Sequence, residues 1–144
     1  VAVFLDSKLS SDRDFSARFP AELVRYVVAE PESSSSGLDA QLRSSNAPTV
    51  ILKAGAHATS GGLLFLRGRN LIGIGTVSVM PTHFNDLFTM VAQQGAQLVL
   101  ENLEVHAQKE SAVVAAHGGC VTATNCVFYG SKVNGYAAAA AYQG

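Results

Sequence analysis

The residues best equipped for chemistry in this chain are few and scattered. Glu101 and Glu104 flank an asparagine in LVLENLEVH (98–106), and two carboxylates at working distance are what acid–base cleavage of a glycosidic bond requires. Both acids alternate with Leu100, Leu103 and Val105, so a strand through this stretch turns them outward, onto a solvated face. Asp12 and Asp14 in SSDRD offer a pair of carboxylates for a cation, and Asp86 lies near His83 in THFND, which reads as a surface turn. A hard cation takes about six to eight oxygen ligands, which a lone loop pair does not supply. The four histidines, His57, His83, His106 and His117, show no metal-ligand spacing with one another or with cysteine. His57 and His117 read as turn residues, and His106 as the residue following a strand. Cys120 and Cys126 have no partners at disulfide or metal spacing and read as small, buried or half-buried thiols. GIGT (73–76) is half of a dinucleotide fingerprint without the helix that would use it. No P-loop or nucleophile elbow occurs. No catalytic, cofactor-binding or metal-binding set is therefore expected.

Composition narrows the partners. The 144 residues carry a formal net charge of −1, with 15% charged and 48% hydrophobic residues. That balance argues against nucleic acid and against a basic membrane surface. The longest apolar stretch, YAAAAAY (136–142), is far shorter than the roughly 18 residues of a spanning helix. The opening VAVFLDSKLSSDRD has no basic start followed by an apolar run, so no signal peptide is expected there. The chain starts on Val rather than Met, which leaves an upstream segment open. With no glycosylation sequon either, the compartment is undetermined.

The elements that must position these residues come in two textures. In the first part, VAVFLD reads as a strand and PAELVRYVVAE (20–30) as a short helix, its Val pair leaving a strand open. PESSSSG (31–37) reads as a loop, and LDAQLRS (38–44) as an amphipathic helix with Leu38 and Leu42 on one face. From Thr49 onward, short apolar runs alternate with Gly, Asn, His and Ser turns. Aligning Asn102 on Asn125, a shift of 23, places Leu98 on Val121, Leu100 on Ala123, Leu103 on Cys126 and Val105 on Phe128. All eight are expected to face inward. A third lane, 87–91, 112–116 and 136–140, recurs at about the same interval. Aligning Asn70 on Asn102, a shift of 32, requires an inserted loop at 76–86; it puts Leu66 on Leu98 and Arg69 opposite Glu101. The repeat reads as a triangular coil that must stack on its neighbours to bury its inner side chains. Asn70, Asn102 and Asn125 are expected at equivalent corners, where Asn tolerates unusual backbone angles and stacked amides bond between rungs.

This pattern resembles the right-handed parallel β-helix of the pectin-lyase-like superfamily, in particular its carbohydrate-binding and sugar-hydrolase repeats, which also occur in F-box and scaffold proteins. The resemblance covers roughly 38–144. It rests on a leading helix GLDAQLRSS, on APTVILKAGAH resembling the x-I-x-L-x-x-G-x-Y opening, and on GRNLIGIG resembling n-L-x-I-x-G. Ala56 or His57 stands where that family usually has Tyr. An antiparallel sandwich is the alternative for short strands with turns, though it does not normally preserve corner identity at a constant shift. The resemblance implies an all-β fold: a right-handed parallel β-helix of about four coils over 49–144, with a strand and helix cap over 1–48. Enzymes of the superfamily carry their acids and bases on outward third-lane positions, whereas LFTMV, SAVVAA and GYAAAAAY hold no charged residue or His. The expected function is thus a non-catalytic structural or protein-interaction module. Val113, Val114, Ala137 and Ala139 are the candidate interface, with a protein partner or further coils at the C-terminal end. The chain stops at AYQG within the repeating turn, so a longer solenoid or a covering partner is expected there. The alternative is a carbohydrate-binding or polysaccharide-cleaving protein whose catalytic coils lie outside the segment. No cofactor, nucleic acid or membrane span is expected.

Overall fold

The computed structural model describes residues 26–31, 37–60, 62–82, 87–107, 109–131 and 137–142. A leading strand, β1 (Tyr26–Ala29), and a helix, α1 (Gly37–Arg43), precede the coils. The first coil is β2 (Thr49–Leu52), β3 (Gly55–Thr59) and β4 (Leu63–Phe65). The second is β5 (Arg69–Gly73), β6 (Val77–Pro81) and β7 (Phe88–Ala92). The third is β8 (Gln97–Glu101), β9 (Glu104–His106) and β10 (Ser111–Ala116). The fourth is β11 (Cys120–Thr124), β12 (Val127–Tyr129) and β13 (Ala139–Tyr142).

Corresponding strands of successive coils pair in parallel, giving three sheets ordered β1-β2-β5-β8-β11, β3-β6-β9-β12 and β4-β7-β10-β13. The expected parallel β-solenoid of four coils is what the chain forms. Its interior follows from the two-residue strand period. Val50, Leu71 and Leu100 stack in register in the first sheet, Val79 on Val105 in the second, and Leu63, Met90 and Val113 in the third. All of them belong to one buried apolar cluster. No single coil could enclose those side chains, so stacking and burial are one event.

The leading segment is built onto the first coil. Tyr26–Ala29 pairs in register with Thr49–Leu52, so a strand, not a helix, occupies this part of 20–30. The β-branched Val27 and Val28 fit a pleated surface beside Val50 and Ile51. Residues 1–25, including the strand expected at VAVFLD, lie outside the described residues. Leu38 and Leu42 of α1 are buried in the core cluster. Gln41 ties α1 to the end of β1, its side chain accepting from Glu30 N at 2.8 Å and donating to Glu30 O at 3.0 Å.

Two register expectations fail together. Val77–Pro81 is not part of an inserted loop but the second-lane strand β6, paired with β3 on one side and β9 on the other. Leu63–Phe65 belongs to the third lane, paired with β7, so Leu66 does not align with Leu98. Asn70 therefore sits within β5, beside Thr49 and Val99, rather than at a corner. Arg69 pairs with Leu98 instead of Glu101, and its side chain turns inward. There it donates to the carbonyls of Leu42 (2.9 Å), Ala47 (3.2 Å) and Ser45, tying together the C-terminal end of α1 and the chain that leads into β2. Burial lowers the pKa of Arg69, and the neighbouring charge of Arg67 lowers it further.

The residue that meets the Asn102 corner is Gly73, 29 positions earlier. A Cβ on Gly73 would lie 2.3 Å from Asn102 O and 2.7 Å from a Leu103 methyl, so no side chain fits between these rungs. Gly73→Ala should cost about 3 kcal/mol or more, because backbone must shift to admit the methyl. Gly68→Ala, whose Cβ would meet Gln97 O at an ordinary 3.5 Å, should stay within about 0.5 kcal/mol. Chemical denaturation of the two variants checks the difference; equal losses would contradict the contact.

Candidate functional site

The asparagine column is real in its upper part. Asn102 and Asn125 both have left-handed backbone angles, φ 57° and 53°, a region that Asn enters more readily than other side-chain-bearing residues. That conformation turns the chain from the first sheet into the second and leaves the carboxamide lying along the stack. Asn125 Nδ2 donates to Asn102 Oδ1 at 2.9 Å, and Asn102 Nδ2 donates to the carbonyls of Gly73 (2.9 Å) and Gly75 (3.0 Å). Two glycine carbonyls thus take the place of a third amide. Asn70 makes a different bond, from Nδ2 to Thr49 Oγ1 at 3.1 Å. The signal for Gly73 and Gly75 was present in GIGT: glycines at a recurring corner mark close approach of backbone.

Among the described residues the acids and imidazoles do not converge. Glu104 accepts from the Ser78 hydroxyl at 3.1 Å across neighbouring rungs, on the outer face of the second sheet. Glu101 ends β8, half-buried. His106 stacks on Tyr129 of the next rung, with ring centroids 4.4 Å apart and planes 10° from parallel. His117 lies in a turn, as expected, with φ 49°. His57 does not: it sits in β3 facing inward beside Val79, 1% exposed. Its Nε2 bonds to Lys53 O at 2.8 Å, which makes Nε2 the protonated nitrogen, and no partner among the described residues reaches Nδ1. Burial lowers its pKa; the Lys53 carbonyl and the more distant Glu30 charge oppose that shift without cancelling it. Asp12, Asp14, His83 and Asp86 lie outside the described residues. Among the described residues no three His, Cys, Asp or Glu side chains gather as metal ligands would. No helix there is long and apolar enough to cross a membrane.

Cys120 is an exposed free thiol and Cys126 a half-buried one. Cys126 Sγ donates to Thr124 O at 3.3 Å, and burial raises its pKa. Of the four interface candidates, Val113 and Val114 are buried, at 3% and 1% exposure, while Ala137 and Ala139 are exposed. Val113 is sealed by Met90 and Ala139 on the adjoining rungs, and Val114 lies between Val91 and Ala140.

Exposed apolar side chains occur along the stack, at Val28, Leu64, Leu66, Met80 and Leu87, and on the fourth coil they adjoin partly covered inner residues. Leu98, Leu100 and Val105 of the third coil are fully buried, and Leu103 nearly so. Their counterparts Val121, Cys126 and Phe128 pack on the core only in part, and Ala123 is exposed. Around them Val127, Tyr129 and Tyr142 are 43–50% exposed. The last strands of the three sheets, β11, β12 and β13, present one pairing edge each without a further strand among the described residues. Comparison of the chain with protein-family models, with curated proteins and with solved structures found no match.

Two measurements probe this arrangement. Asn102→Gly keeps the backbone freedom but removes the amide, and should lose about 1–2 kcal/mol through unmet carbonyls. Asn125→Gly, with one amide bond at an exposed corner, should lose less; equal losses in denaturant melts would contradict the column. For His57, the folded-state pKa lies below the unfolded value near 6.5, so the unfolded chain takes up a proton first. Stability should therefore fall as pH drops from about 6.5 through the folded pKa, then level off. His57→Gln should flatten that part of a pH–stability profile, whereas an unchanged slope would show that burial does not perturb the imidazole.

Proposed function

We propose that this chain is a non-catalytic β-solenoid module, resembling the right-handed parallel β-helices of the pectin-lyase-like superfamily, whose fourth-coil rung is covered by a protein partner or by further coils of the same chain. The observation that carries this reading is the contrast between adjacent coils: inner-face residues sealed in the third have only partly covered counterparts in the fourth. An added rung of extended chain would satisfy the open strand edges and cover Val121 and Phe128 at once. Native edges are usually blunted by Lys, Pro, bulges or inward charges. The sequences CVTAT, VFY and AAAY carry no charge and no proline. The third-lane strands FTMVA, SAVVAA and AAAY likewise offer no acid or base, which supports binding over catalysis.

The purified chain should associate with itself as concentration rises, with one copy's rung serving as the partner of another's. Sedimentation velocity reads this directly. A Val121→Lys, Phe128→Lys double variant should sediment as a monomer with an unchanged circular dichroism spectrum. A wild-type chain that stays monomeric at the highest concentration reached would overturn the reading.

A further inference from the structure

The opposite end of the solenoid holds a feature of different chemistry. Between α1 and β4, which edges the third sheet at its leading end among the described residues, lies a cavity of about 470 Å³, within the roughly 300–1,000 Å³ typical of small-molecule sites. Its apolar side is formed by Leu64 and Leu66, 55% and 49% exposed, beside the buried Leu42 and Phe65. Exposed leucines that line a concavity are not the scattered surface residues that need no explanation.

Its polar side is cationic. Arg43, Arg67 and Arg69 face a single acid, Asp39, for a lining charge of +2. The acid is already engaged: Oδ1 accepts from Ser60 N at 2.9 Å and Oδ2 from the Ser60 hydroxyl at 3.0 Å. Arg69 is spent on the carbonyls of Leu42, Ser45 and Ala47, so it builds the wall rather than reading a ligand. Arg67 is different. The Asn46 side-chain oxygen accepts from its Nη2 and orients the guanidinium, whose remaining N–H groups form a fork suited to a carboxylate. Arg43, exposed in the last turn of α1, adds a second cation. The main chain contributes as well. Phe65 O accepts from Gln93 N on the β7 side, so alternation turns the Leu64 N–H and C=O away from β7, where no strand lies among the described residues.

We infer that this cavity binds a small amphiphilic anion: a carboxylate carried on a short apolar body, the head on Arg67 and Arg43 and the body on Leu64 and Leu66. A purely apolar ligand would leave the cations unneutralised, and a bare anion would leave the leucines in water. The site stands apart from the fourth-coil rung and does not depend on its role.

Titration of the full chain with decanoate, below its micelle concentration, tests the assignment by calorimetry and by amide chemical shifts. Decanoate should bind, with shifts centred on 62–67. Decanol, which lacks the charge, and acetate, which lacks the body, should each bind at least about tenfold more weakly, the scale of one charge-assisted bond or a few buried methylenes. Arg67→Gln and Leu66→Asn, both at exposed positions, should each weaken decanoate about tenfold while preserving the spectrum of the fold. The Val121→Lys, Phe128→Lys variant should bind decanoate as the wild type does. Absence of decanoate binding, equal affinity for decanol, unaltered binding in Arg67→Gln, or shifts centred on the fourth coil would each overturn the assignment.

Discussion

The structure depends on how closely one turn of chain can lie on the next. Parallel pairing sets the rung spacing at about 4.8 Å in every sheet, but sheets alone do not fix where the corners fall. That is decided where backbone meets backbone with no room for a side chain. At Gly73 a Cβ would sit 2.3 Å from Asn102 O, and at Gly119 it would sit 2.1 Å from Ala92 O. Gly73 locks the second coil under the third at one corner, and Gly119 locks the end of the second coil under the turn from the third into the fourth at another. The same closeness brings Asn102 Nδ2 within 3.0 Å of two carbonyls at once. Once the corners are pinned, the inner residues fall into columns without further instruction: Leu71 on Leu100, Val79 on Val105, Met90 on Val113.

Pinned corners also explain how the coils tolerate unequal length. The offset between stacked residues is 21 from Thr49 to Asn70, 29 from Gly73 to Asn102, 26 from Ser78 to Glu104, and 23 from Asn102 to Asn125. Extra residues are absorbed in the corners, as in the stretch GIGT, while the strands hold register. Surface connections accept such insertions at small entropic cost.

That variability marks the boundary of what the sequence discloses. Between the third and fourth coils the spacing is regular, so the column Asn102–Asn125, the inward set from Leu98 to Phe128 and the four-coil architecture can all be read from residue types. Between the second and third it is not. Aligning the Asn-Leu pairs at 70–71 and 102–103 puts Leu71 on Leu103, three positions past its true partner Leu100, because the amide of Asn70 imitates a corner although its partner is Thr49 Oγ1. The strand Val77–Pro81 reads as loop because Ser78 and Pro81 resemble loop residues, yet its edges are filled by β3 and β9. His57 likewise reads as a turn residue, although its place beside Val79 is set by a register that spans two coils. The arginine-lined cavity is not legible at all in one dimension. It brings α1 against the edge of β4, and no local pattern encodes that meeting.

The two ends of the stack are chemically unlike because the stacking rule is satisfied differently at each. At the leading end β1 extends only the first sheet, and α1 covers the inner side chains with Leu38 and Leu42. Among the described residues no strand lies beyond β4 and a helix cannot supply one, so a gap persists beside it, and the arginines at and near the C-terminal end of α1 line that gap. At the fourth coil among the described residues no helix intervenes, and the surface left over is the apolar interior itself. Each coil contacts only its neighbours, so stability sums over rungs and interfaces rather than being shared by the whole. A ligand beside β4 therefore strengthens the first coil and its interface with the second, and a rung added on β11 strengthens the fourth. The intervening columns separate the two effects, so occupancy of either proposed surface would act on its own end of the stack without shifting the other.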